Sequence, residues 1–188
     1  MHSMSQEQLF DSPAAALAFA FNFSSQQYPV SPMGRLLKGA NIGGGKGLGG
    51  LDGSAQAAYI LAAVERMPPM ARACIAARYA PKAEPCTCGK PCCAGEKVSQ
   101  AYREAMAAIL HWSFEKAPAG VDSATRAAIL AAYFDRSVSL TREFERRKVP
   151  RSTGFDAKKK IWDALKTLET EAQNAVTGEL AWLFDRAA

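Results

Sequence analysis

A chain of 188 residues, 48% of them hydrophobic and 22% charged, holds one domain or two small ones and can bury a substantial core. No stretch approaches the roughly 18–20 consecutive apolar residues of a membrane span, and the polar start Met1–Gln8 has no basic run ahead of the apolar Ala14–Phe23, so a membrane protein and a secreted one are excluded as first readings. The formal charge of +5 says little until its distribution is known. Alanine-rich apolar segments, few Val/Ile alternations and no hairpin signal predict an all-α helical bundle in the cytoplasm.

Ser12-Pro13 is an N-cap followed by proline at the first helical position, and predicts a short helix over Ala14–Asn22. Residues 24–50 have the composition of a mobile arm, ending in Asn41-Ile42-Gly43-Gly44-Gly45-Lys46-Gly47-Leu48-Gly49-Gly50. A phosphate loop needs a Ser or Thr after the lysine to hold Mg²⁺, and here Gly47 follows Lys46. Residues 1–50 therefore read as a short helix and a Gly-rich arm.

Asp52 or Ser54 caps a helix running to about Met67, with Ala57, Ile60, Leu61 and Val64 on one stripe. Pro68-Pro69 ends it and starts Met70–Tyr79. A cysteine loop occupies Ala83–Gly95, and Ser99 opens a helix to Phe114. Residues 51–120 thus form a helical domain around the cysteines. Asp122, with Thr125 in the first turn, caps a helix to Phe134 and begins the last domain, 121–188.

Four of the five cysteines lie in Cys86-Thr87-Cys88-Gly89-Lys90-Pro91-Cys92-Cys93. A reducing compartment disfavours disulfides, and zinc takes four thiolates tetrahedrally, so Cys86, Cys88, Cys92 and Cys93 are candidate Zn²⁺ ligands. The spacing is tight: adjacent side chains diverge, and Cys92 and Cys93 reach one ion only across a sharp turn. Cys74 and His111 are held in reserve, although each also suits an ordinary helix. The predicted role is a structural clip fixing the angle of two helices.

The charge is concentrated in 136–166, which carries ten Lys or Arg against four acids. Such a stripe suits a polyanion. Ser139 reads as an N-cap, Leu140–Arg147 as two helical turns, Lys148-Val149-Pro150 as a turn, and Arg151-Ser152-Thr153 as the start of a long helix. Ala157, Ile161, Leu165 and Leu168 form its inward stripe, and a further helix is predicted over Glu169–Arg186. Outward lie Arg151, suited to guanine, Ser152 and Thr153, suited to phosphate or a base edge, and Asp156, with Lys158, Lys159, Lys160, Arg147 and Lys148 suited to backbone phosphates.

This segment resembles the helix-turn-helix of sigma-factor region 4 and of many bacterial repressors, on Leu140, Val149 and Arg151-Ser152-Thr153. It departs from them with Lys148 where glycine is usual, Phe144 where alanine is usual, Arg147 where leucine is usual, and Gly154 in place of a β-branched residue. A large Phe144 facing a small Gly154 would be a compensating pair. Over most of its length, on Phe21-Asn22-Phe23-Ser24-Ser25-Gln26-Gln27-Tyr28, Gly45–Gly53, the cysteine loop and the C-terminal segment, the chain resembles a family of small phage- and prophage-borne DNA-binding proteins. Its order of parts, and Ile161-Trp162-Asp163-Ala164-Leu165, are also similar to the late-gene antiterminator Q of lambdoid phages, whose cysteines form two separated CxxC pairs. The resemblance implies a double-stranded DNA partner in a bacterial host, and bacterial RNA polymerase as a second partner, with Arg35, Lys38 and Lys46 as candidate contacts.

The reading is a sequence-specific DNA-binding transcription regulator. Its alternative is a helical adaptor that binds RNA polymerase or another phage protein without reading DNA. An enzyme is the weakest reading, since His2 and His111 are the only histidine bases and no paired carboxylates are visible.

Overall fold

A computed structural model of the chain describes residues 10–26, 50–86, 88–90, 94–116, 121–135 and 137–183. Among them are seven α-helices: α1 Pro13–Gln26, α2 Gly50–Glu65, α3 Pro69–Tyr79, α4 Gln100–Trp112, α5 Ser123–Phe134, α6 Leu140–Arg146 and α7 Arg151–Glu179. The predominantly helical expectation holds. The exception is a two-stranded antiparallel ribbon, β1 Ala83–Pro85 and β2 Glu96–Val98, where no hairpin was expected. Each strand is three residues long, too short to write an alternating pattern.

Contacts group the chain into two units, Met1–Met67 with Val176–Ala188, and Pro68–Ala175. In the first unit α1 packs against α2. Ser12 caps α1 by accepting from the Ala15 N–H at 3.2 Å, with Pro13 in the first turn as predicted. Leu17 and Ala20 of α1 and Ile60, Ala63 and Val64 of α2 are buried, and Phe10, Phe19 and Phe23 stack in a tilted series. Small alanines on both helices allow close approach. The Gly-rich arm expected before Gly50 lies, from 27 to 49, outside the described residues.

In the second unit α3 packs on α4, α4 on α5, and α5 on α6. Two of the expected caps are present here, whereas the cap expected at Asp52 or Ser54 is not, since both residues lie inside α2. Ser99 accepts from the Tyr102 N–H and donates to the Pro81 carbonyl, and Asp122 accepts from the Thr125 N–H at 2.6 Å. Ile75, Ile109, Ile129, Leu130, Ile161 and Leu165 supply large, fully buried side chains.

The long last helix corrects one expectation. Glu169 does not open a separate helix; α7 is continuous from Arg151 to Glu179, and residues 184–186 lie outside the described set. The reason is periodic. The predicted inward stripe of Ala157, Ile161, Leu165 and Leu168 is buried and continues without a break through Ala172 and Val176. No proline interrupts it, and its later glycine, Gly178, sits in the last turn.

α7 is fastened to α3 and α5 by polar bonds. The Trp162 indole N–H donates to the Ile129 carbonyl at 3.2 Å. Arg78 grips Glu169 with two bonds, 2.7 Å to Oε1 and 3.0 Å to Oε2, and Tyr133 donates to Oε2 at 2.6 Å. The guanidinium also lies 5.4 Å from the Tyr133 ring centroid and 5.1 Å from that of Phe134. Burial pushes the Glu169 carboxyl up, but the hydrogen bonds from Arg78 and Tyr133 outweigh it and hold it below its ordinary value.

Candidate nucleic-acid interface

The unit formed by α6, its turn and the start of α7 is built from local rules. The Lys148 N–H donates to the Glu145 carbonyl at 3.1 Å, and the Val149 N–H reaches back to the Phe144 carbonyl at 2.9 Å. This is the paired bonding of a Schellman cap, which requires a left-handed residue between helix and exit. Lys148 takes that place with φ 57°, the one non-glycine residue with positive φ among those described. The sequence departure at Lys148 therefore keeps the backbone that glycine would supply and adds a cation. Pro150 follows, and Arg151 starts α7.

Two of the other departures, Phe144 and Gly154, compensate each other as expected. Phe144 is fully buried, and a β-carbon on residue 154 would lie 2.7 Å from its ring atoms Cδ2 and Cε2. Only glycine leaves room for that ring. Ser139 stands at the head of α6, but its side chain makes no capping bond.

Each predicted contact residue has a definite setting. Ser152, Thr153 and Asp156 are exposed in the first turns of α7. Arg151 is exposed and bonds Glu145 Oε1 at 2.7 Å across the turn. Arg147 is half-buried, with Nε 3.4 Å from Glu143 Oε2. Lys148 is exposed in the turn itself. Lys159 and Lys160 are exposed and have no ion-pair partner among the described residues. Lys158 behaves differently from its neighbours: its ammonium lies 4.2 Å from the Trp162 ring centroid and 5.6 Å from that of Phe155.

By helical spacing Ser152, Asp156, Lys159 and Asp163 share the face opposite the buried stripe, with Thr153 and Lys160 beside them. Residues 140–160 carry eight Lys or Arg against three acids, so the excess positive charge persists after the internal pairs of Arg146 and Arg151 are formed. Glu143 is held below its ordinary value, first by the hydrogen bond from Arg146. Arg136 lies outside the described residues. One residue the sequence reading did not single out is Phe155, 41% exposed on this polar face. Its signal was an aromatic three positions after Ser152 on the outward side.

The cysteine loop leaves the end of the ribbon. β1 and β2 pair as Ala83 with Val98, Glu84 with Lys97, and Pro85 with Glu96, and Lys97 meets Glu84 at 3.1 Å. The Cys86 N–H closes the loop on the Gly95 carbonyl at 2.8 Å. Gly89 and Gly95 turn the chain with φ 63° and 82°. Cys86 is half-buried and Cys88 exposed, while Cys92 and Cys93 lie outside the described residues. Among the described residues no group of three or more His, Cys, Asp or Glu is arranged to hold a metal. Cys86 and Cys88 offer two of the four soft donors a structural zinc takes. Of the reserve ligands, Cys74 is fully buried and burial pushes its thiol up to about 12, so it remains a neutral core thiol. His111 is exposed in the last turn of α4.

No family model, curated protein or solved structure matches the chain.

Among the described residues an open depression of about 400 Å³ is lined by Tyr133, Lys166, Glu169, Thr170, Gln173 and Asn174. Both carboxylate oxygens of Glu169 already accept hydrogen bonds, which suits it to holding three helices rather than to accepting a substrate proton. Among the described residues no helix is long and apolar enough to cross a membrane.

Proposed function

We propose that this chain is a sequence-specific DNA-binding regulator of transcription that lays the first turns of α7 in the major groove. The observation that carries the reading is the two-faced start of α7. One face is buried through Gly154, Ala157 and Ile161, and the opposite one is polar and basic with Ser152, Lys159 and Lys160 exposed. A duplex needs this division, because side chains in the first turn reach base edges while flanking cations hold phosphates. Arg151 and Ser152 are assigned to base edges, Thr153 and Asp156 to a base edge or a bridging water, and Lys148, Lys159 and Lys160 to phosphates. Arg147 and Lys158 are more enclosed and support the phosphate-binding surface from its edges.

Zinc belongs to the same proposal as a structural element. Cys86, Cys88, Cys92 and Cys93 would hold it, and bound there it would supply a rigid cross-link between the ends of α3 and α4. The likeness to Q adds loading onto RNA polymerase as a later step.

In the adaptor reading the basic face of α7 is ordinary solvated surface and the helices bind a protein partner. Duplex binding measured against salt separates the two. A DNA reader gives a steep negative slope of log affinity against log salt, and Lys159→Ala with Lys160→Ala flattens it by about two phosphate contacts. Duplex affinity unaltered by both substitutions and by Arg151→Ala would leave the adaptor standing.

A further inference from the structure

Resting on the DNA-binding reading, the geometry points to Phe155 as a specificity-determining residue that reads the C5 methyl group of a thymine. Phe155 places an apolar ring on the outward side of α7, where the inward stripe is complete without it. The residue is 41% exposed, lies three residues after Ser152 and four before Lys159, and so stands between the residues assigned to base edges and to phosphate. Its position is fixed from below. The ring of fully buried Phe144 meets it edge to face at 5.5 Å and 88°. Phe144 in turn is held against Gly154, whose missing β-carbon makes the space. From the side, the Lys158 ammonium lies 5.6 Å from its centroid.

A rigid aromatic edge braced in this way is well suited to an apolar group presented at a fixed height. In the major groove, thymine alone among the four bases offers a methyl group, and aromatic and aliphatic side chains recognise it by apolar contact. Glycine at 154 and a large ring at 144 thus have a consequence for recognition as well as packing: together they set where Phe155 stands.

The test begins with the full chain and a random duplex pool, from which bound sequences are selected at fixed salt. Each thymine of the selected site is then replaced by deoxyuridine, which removes only the methyl. For the wild type one or two positions should lose roughly fourfold in affinity, the effect of burying one methyl group. Phe155→Ala should be indifferent to those replacements while keeping its salt slope. As a measurement independent of the variant's folding, 5-bromouracil at the sensitive position of the wild-type complex should cross-link to Phe155. Equal deoxyuridine losses in wild type and variant, a wild type with no methyl dependence, or cross-links that fall away from the start of α7 would overturn the role of Phe155 while DNA binding stood. Failure to enrich any duplex would overturn the DNA reading and this inference with it.

Discussion

The ring of Phe144 occupies the space that a β-carbon on residue 154 would need, 2.7 Å from two of its atoms. Gly154→Ala should therefore destabilise the protein although alanine is the better helix former by about 1 kcal/mol. Overpacking a fully buried ring costs about 1–3 kcal/mol. Chemical denaturation should show a net loss for Gly154→Ala and recovery when Phe144→Leu is added. A double-mutant cycle with no coupling would contradict the contact.

Lys148 holds a left-handed backbone at φ 57°, which costs a non-glycine residue about 1 kcal/mol. Lys148→Gly removes that strain but adds freedom to the unfolded chain, so stability should rise slightly, by about 0.5 kcal/mol. The same substitution removes a proposed phosphate contact. A higher melting temperature together with weaker duplex binding is expected, and parallel changes in the two would argue against it.

Acid should loosen the second unit through Glu169. Its folded carboxyl titrates below the ordinary 4.5, so its contribution is fully present above that value and is lost as pH falls toward the depressed one. Asp135 is a second depressed carboxyl. The Ser137 N–H and the bond from Lys82 hold it down at about 2. Glu169→Gln should cost about 1–2 kcal/mol at neutral pH, a charge-assisted pair discounted for its partial exposure. The difference from wild type should narrow in thermal melts taken from pH 5 to pH 3, and a difference that stays constant would exclude this pair as the titrating group.

Zinc bound by the cysteine loop should make folding of that region depend on metal. Reduced protein prepared without chelator should contain one zinc per chain. Removing it should lower the melting temperature, and Cys86→Ser should abolish stoichiometric binding. Metal-free preparations with an unchanged melting curve would remove zinc from the proposal.

Residues that act on their near neighbours were readable from the chain alone. The caps at Ser12, Ser99 and Asp122, the proline at the start of α1, the inward stripe of α7 and the turn at Lys148-Val149-Pro150 all depend on spacings of a few residues. The ribbon was not readable, since its pairing of Ala83 with Val98 spans the whole cysteine loop. Nor was the Arg78–Glu169–Tyr133 cluster, whose members are 36 to 91 positions apart. Of the candidate interface, the sequence supplied the residues and their charge. The i, i+4 contact of Lys158 with Trp162 is local and was readable in principle, whereas the engagement of Arg151 by Glu145 depends on how the turn folds.

The sequence by itself determined a predominantly helical chain with a basic segment between a tight turn and a long helix, because propensity, capping and periodicity are local. Tertiary structure decided that Arg78 and Tyr133 converge on Glu169, that the Phe144 ring fills the space Gly154 leaves, and that Phe155 is left at the surface. Those outcomes depend on which side chains meet across the fold, and packing between distant segments is written in no short stretch of the chain.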